Sequence, residues 1–102
     1  MTIKLTIQQA EALRNLFESV IIPDKPLEME DKLVYVIMIR IYKKLRAKLE
    51  ARLKGAGYSL SLTEEEAMAY YVYFKDRDLG SSYLYETTFM FTHIAQIDKA
   101  YA

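Results

Sequence analysis

Apolar and polar side chains alternate over two short stretches of the chain, residues 2–6 and 58–62. A period of two is typical of a strand with one buried face, so we predict a short strand at each place. Between and after these stretches the apolar residues recur at helical spacing instead. The pattern therefore predicts short strands that alternate with longer helices.

The two predicted strands open segments that resemble each other. Residues 5–17, LTIQQAEALRNLF, align with residues 62–74, LTEEEAMAYYVYF, and five of the thirteen positions are identical. In both, a Thr stands three residues before a Gln or Glu, which is the capping box that starts a helix. We interpret the chain as one domain with an internal repeat, residues 1–57 and 58–102. Independent use of the same capping chemistry is the alternative.

The stretch KLVYVIMIRIYKKLRAKLE, residues 32–50, begins like a buried strand and ends like an exposed basic helix. Pro26 suits the first turn of a helix, acidic residues follow it, and Gly55 is placed to end one. Large apolar residues recur every fourth position from Leu33 onwards. We therefore predict one long helix over about residues 26–54.

The second half is predicted to repeat this plan. A helix begins after Thr63 and runs to about Arg77, and a last helix runs from about Ser82 towards Tyr101. Three Thr residues in this last segment favour strand instead. The predicted fold class is mainly α, with four helices and a minor two-stranded antiparallel β element, arranged as two strand–helix–helix repeats.

Composition narrows the class of protein. The 102 residues carry fourteen basic and fourteen acidic side chains and no cysteine. Disulfides, thiolate zinc sites and a cysteine nucleophile are thereby excluded. The N-terminus lacks the features of a signal peptide, and the apolar run Leu33–Ile39 is far shorter than a membrane span. We expect a cytoplasmic protein that does not enter a membrane.

Candidate catalytic chemistry is sparse. His93 is the single histidine, with Glu86 seven residues before it, and two such groups are too few for a metal site. Glu64–Glu66 is better explained by helix capping, and Gly55-Ala-Gly57 lacks the residues of a phosphate-binding loop. We expect no cofactor, no metal and no enzymatic activity.

Basic residues are concentrated in the second half of the long helix. Seven of them stand against Glu50 alone, a local charge of seven minus one, or +6. Such a helix can track nucleic-acid phosphates, with Tyr42 and Tyr58 near enough to stack on bases. The simpler interpretation is the solvated face of an amphipathic helix. The candidate contacts are Arg40, Lys43, Lys44, Arg46, Lys48, Arg52 and Lys54.

Nine of the 102 residues are tyrosine, and several cluster in the second half. Apolar residues surround two helical segments, 33–39 and 67–74, and a core of this size has limited room for both. Tyrosine is enriched at protein interfaces, although ordinary core positions explain it equally well. The candidate interface residues are Tyr70, Tyr71, Tyr73, Phe74, Tyr83 and Tyr85.

The sequence therefore predicts a small, non-enzymatic interaction or structural accessory protein. We expect it to self-associate through aromatic helix surfaces, most simply as a homodimer. A different protein partner on the same surface is a further possibility. The alternative function is binding of nucleic acid through the basic helix, residues 40–54.

Overall fold

The computed structural model of the protein describes residues 1–51 and 57–101. It confirms the predicted fold class, mainly helical with a minor two-stranded antiparallel sheet. In chain order the elements are β1 (Thr2–Thr6), α1 (Ile7–Leu16), a π-helical turn (Phe17–Ile21), α2 (Met29–Glu50), β2 (Gly57–Ser61), α3 (Glu64–Phe74), a 3-10 turn (Ser81–Tyr83) and α4 (Leu84–Tyr101).

The two strands pair in register from Thr2 with Ser61 to Thr6 with Gly57. Buried and exposed side chains alternate along both, as their apolar pattern predicts. Just beyond the paired strands, Met1 and Leu62 exchange both of their backbone hydrogen bonds. Since hydrogen-bonded and non-bonded pairs alternate in an antiparallel ladder, the N–H and C=O groups of Lys4 point away from β2.

Side chains from the helices cover parts of both free edges of this sheet. Gln96 donates a hydrogen bond to the Thr2 carbonyl at 3.1 Å, and Gln9 accepts one from the Thr6 N–H at 3.0 Å. On the β2 edge the Lys44 ammonium donates to the Ser61 carbonyl at 3.2 Å. These contacts satisfy backbone groups that an edge strand otherwise exposes to pairing with another chain.

Both predicted capping boxes are present. Thr6 with Gln9 begins α1, and Thr63 with Glu66 begins α3. The order strand, helix, helix occurs in each half. The first helices end differently, however, because α1 continues through the π-helical turn whereas α3 stops at Phe74, short of the predicted Arg77. An internal repeat stays a prediction.

The segment of ambiguous pattern is a helix. It begins at Met29 rather than near Pro26, because Glu28 is extended and serves as the N-cap. Its core-facing side includes Met38, Ile41 and Leu45, all fully buried. The predicted end near residue 54, and Gly55 as the stop, lie outside the described residues.

The last helix forms despite its threonines. The Thr87 hydroxyl donates to the Tyr83 carbonyl and the Thr88 hydroxyl to the Leu84 carbonyl, both at 2.9 Å. These bonds one turn back satisfy the hydroxyls within the helix. α3 packs against both α2 and α4, so it contributes much of the core.

Candidate functional site

The aromatic residues predicted as interface anchors are mostly inside the protein. Tyr70 is fully buried, and Tyr73 and Phe74 are 9% and 6% exposed. Tyr70 packs edge-on against Phe74, with ring centroids 4.9 Å apart. The interface prediction therefore does not hold for these three residues, because α3 lies between two helices and buries both of its flanks.

The other three predicted interface residues are more accessible. Tyr71 and Tyr83 are half-buried, and Tyr85 is 48% exposed. The Lys75 ammonium lies 5.7 Å from the centre of the Tyr71 ring, and Tyr85 packs edge-on against Phe89. Only Tyr85 among the six predicted residues presents a large exposed surface.

The basic residues of α2 are partly engaged. The Lys44 ammonium lies 2.5 Å from the carboxylate of Glu66, and Arg46 pairs with Glu50 at 3.5 Å. Burial acts to raise the pKa of Glu66, but the contacts of its carboxylate with Lys44 and Thr63 together outweigh burial, so the pKa is lowered. Arg40 and Lys43 are exposed and make no ion pair with another residue of 1–51 or 57–101.

The remaining residues predicted to contact nucleic acid are partly or fully buried, or lie outside the described residues. Lys48 is half-buried, and Arg52 and Lys54 lie outside the described residues. Tyr42 and Tyr58 are each 8% exposed, so they are unavailable to stack on bases as predicted. The Tyr42 hydroxyl instead donates to Glu18 at 2.8 Å.

Three exposed apolar side chains lie on one side of α2, and we call this side the outer face of α2. They are Met29, Leu33 and Val36, which are 75%, 64% and 53% exposed. Their spacing of four and three residues places them on one side of the helix, opposite the buried Met38 and Leu45. Leu27, just before the helix, is 88% exposed.

Charge is distributed unevenly along α2. Glu28 and Glu30 are exposed near its start, and Arg40 and Lys43 are exposed further along the same outer side. The apolar face thus lies between a start where Glu28, Glu30 and Asp31 outnumber Lys32 and a basic end.

A buried polar cluster lies at the interface between α3 and α4. The Tyr70 hydroxyl is 2.9 Å from His93 Nδ1 and 3.0 Å from the sulfur of Met90. His93 is 3% exposed, and burial lowers its pKa to about 4. His93 is therefore neutral at pH 7, hydrogen-bonded to Tyr70 as a core histidine.

Other chemistry is limited in the part of the chain that the structure describes. Glu64 and Glu65 are exposed in the first turn of α3, while Glu66 belongs to its capping box. No group of three or more His, Asp or Glu side chains there is placed to hold a metal ion. None of the described helices combines the length and the apolar character needed to cross a bilayer.

Comparison of the chain with protein-family models, with characterised proteins and with solved structures found no match.

Proposed function

We propose that this protein is a small, non-enzymatic interaction protein that forms a homodimer through the outer face of α2. The observation that supports the proposal is the exposure of Met29, Leu33 and Val36 on one side of a single helix. Contiguous apolar surface of this kind is uncommon on soluble monomers and usually marks an interface. The proposal also places the protein in the cytoplasm, where the absence of cysteine is ordinary.

The proposed dimer pairs two α2 helices antiparallel about a two-fold axis between Leu33 and Val36. Leu33 of one copy then packs against Val36 of the other, which is the self-complementary contact of a closed dimer. Arg40 and Lys43 of each copy approach Glu28 and Glu30 of its partner. A parallel arrangement would instead place like charges together.

Burial of the apolar side chains provides the driving force. Removing a large aliphatic side chain from water contributes about 1.5–3 kcal/mol when the burial is complete. Each copy contributes Leu27 as well as the three residues of the outer face. Because association itself costs several kcal/mol in lost freedom of motion, we expect a dimer of moderate affinity.

The test is the double variant Leu33→Asp with Val36→Asp. Both side chains are more than half exposed in the monomer, so folding should survive the change while association is lost. Light scattering behind a sizing column should give a dimer for the natural chain and a species near 11.9 kDa for the variant. The matched control is Phe91→Asp on α4, an equally exposed apolar residue, which should leave the dimer intact.

A natural chain that remains near 11.9 kDa at high concentration would contradict the homodimer. The same is true if Phe91→Asp dissociates it as effectively as the α2 variant. A circular dichroism spectrum for each variant checks that the helices are retained.

Binding of nucleic acid by the basic half of α2 is the second candidate function. Exposed Arg40 and Lys43 favour it, and the burial of the neighbouring tyrosines weighs against base stacking. Phosphate contacts predict a complex that weakens steeply as salt rises. Gel shifts at low salt distinguish the two functions, because Arg40→Glu with Lys43→Glu should abolish such a complex. Failure to form any complex with the natural chain removes this candidate.

A further inference from the structure

A cavity of about 250 Å³ lies beside the free edge of β1, between this strand, the start of α1 and α4. Its lining includes Lys4, Gln9, Phe89, His93 and Gln96. The homodimer proposal makes no use of these residues. His93 is the one deeply buried polar side chain among them, at 3% exposed.

The hydrogen bond between Tyr70 and His93 favours one of the two neutral forms of the His93 ring. The Tyr70 hydroxyl lies within hydrogen-bond distance of both His93 Nδ1 and the Met90 sulfur. Because imidazole nitrogen is a stronger acceptor than thioether sulfur, donation to Nδ1 is favoured. A neutral ring that accepts at Nδ1 carries its proton at Nε2. The hydrogen bond that His93 makes uses Nδ1 and leaves Nε2 without a partner among the described residues, and His93 lines the cavity.

Other hydrogen-bond donors lie around the same space. The Lys4 side chain is exposed and unpaired within the described residues, and its backbone N–H points to the free edge of the sheet. Gln9 uses its oxygen for the Thr6 N–H, which leaves its NH₂ group as a donor. Gln96 differs from Gln9, because its NH₂ group already donates a hydrogen bond to the Thr2 carbonyl.

We propose that this cavity binds a small carboxylate, held by Lys4 and by the Nε2–H of His93. The charged side chain of the lining is Lys4, so the site carries +1 and suits a monoanion. Phe89 provides an apolar wall for a short alkyl tail. Charge-assisted hydrogen bonds to a carboxylate are stronger than neutral ones, which compensates for removing the anion from water.

Nuclear magnetic resonance titration with sodium butyrate tests the proposal. Butyrate should shift the ring signals of His93 and the amide signals of Lys4 and Gln96, with a dissociation constant on the order of 1 mM for so small a ligand. Butylammonium chloride at the same ionic strength should shift none of them. Sodium phosphate distinguishes a carboxylate site from a general anion site, because phosphate should bind less tightly than butyrate.

The variant Lys4→Gln removes the charge at an exposed strand position and should weaken butyrate binding about fivefold or more, as expected for loss of one charged contact. Lys99→Gln removes an exposed lysine of α4 that does not line the cavity, and should leave binding unchanged. Tyr70→Phe reports on the tautomer, because without the Tyr70 hydroxyl the Nε2–H form of His93 is no longer favoured.

Equal shifts from butyrate and butylammonium would overturn the proposal. A loss of butyrate binding in Lys99→Gln as large as that in Lys4→Gln would also overturn it. The same holds if the His93 signals do not move when the butyrate concentration is well above the expected dissociation constant of about 1 mM. These measurements use the Leu33→Asp, Val36→Asp monomer alongside the natural chain, so failure of this site and failure of the dimer are distinguishable.

Discussion

Two buried tyrosines of α3 differ in whether their hydroxyls have a partner. Tyr70 is bonded to His93, whereas the Tyr73 hydroxyl is buried with no partner among the described residues. Burial raises the pKa of both hydroxyls, so both are protonated at neutral pH. The Arg77 guanidinium lies 3.9 Å from the centre of the Tyr73 ring. It donates its hydrogen bond to the Tyr73 backbone carbonyl, however, and not to the Tyr73 hydroxyl.

This difference predicts opposite effects of the same substitution. Tyr73→Phe removes an unsatisfied hydroxyl and should leave the free energy of unfolding unchanged or raise it by up to about 1 kcal/mol. Tyr70→Phe leaves Nδ1 of His93 buried without a partner and should lower it by about 1–3 kcal/mol. Urea unfolding of the three proteins measures both changes. A larger loss for Tyr73→Phe than for Tyr70→Phe would contradict the assignment.

His93 predicts a dependence of stability on pH. Burial lowers the folded pKa to about 4 from 6.5, so below pH 6.5 the unfolded chain binds a proton that the folded chain does not. Stability should therefore be constant above pH 6.5 and fall as the pH drops towards 4, by about 3 kcal/mol from this group. Unfolding by urea across this range measures the loss.

The control for this dependence is His93→Gln, which cannot titrate. Carboxylates contribute to acid unfolding in both proteins, so the difference between the two pH curves isolates His93. A difference that does not change between pH 6.5 and 4 would contradict the pKa shift.

At the scale of elements, α2 shows why a correct helix assignment does not determine its buried face. The pattern has large apolar residues at every fourth position from Leu33, which suggests a single core-facing row. Four residues turn a helix by about 400°, so such a row advances about 40° around the axis at each step. Leu33 is consequently 64% exposed, whereas Ile41 and Leu45 in the same row are fully buried.

The start of β2 illustrates a constraint that comes from the strand opposite. A Cβ atom added at Gly57 would lie 2.3 Å from the Leu5 carbonyl oxygen, closer than any side chain can approach. In the sequence Gly57 resembles an ordinary turn residue between a helix and a strand. Its close approach to β1 depends on pairing across more than fifty residues of chain.

At the scale of the whole molecule, the distribution of charge on α2 specifies the orientation of the proposed dimer. Glu28→Lys with Glu30→Lys should weaken the dimer about tenfold by repulsion from the partner's Arg40 and Lys43, since each exposed pair contributes about 0.2–1 kcal/mol. Combining these changes with Arg40→Glu and Lys43→Glu should restore it. Analytical ultracentrifugation of the natural, double and quadruple variants measures the dissociation constants.

Restoration in the quadruple variant is specific to antiparallel helices. In a parallel pair each of the four residues meets its own copy, so exchanging the charges leaves the repulsion unchanged. A quadruple variant as weak as the double variant would therefore rule out the antiparallel dimer. Thermal unfolding of each variant checks for effects of the reversed charges at the start of α2.

Local features of the sequence predicted the type and order of the helices and strands, although not all of their boundaries. Alternation predicted both strands, and Thr6 and Thr63 predicted where two helices begin, because a capping box involves residues only three positions apart. Composition likewise excluded chemistry based on cysteine. Alternation, capping boxes and composition do not depend on tertiary contacts.

The candidate sites depended on contacts between distant parts of the chain. All eight positions of 67–74 are apolar or aromatic, so the pattern gave no indication of which ones face a neighbour. Only the position of α3 between α2 and α4 shows that Tyr70 and Tyr73 are inside. The contact of Lys44 with Glu66 and that of His93 with Tyr70 join residues more than twenty positions apart. Helical spacing specifies which residues share a side, but burial of that side depends on the neighbouring elements, and their placement is a property of the tertiary structure.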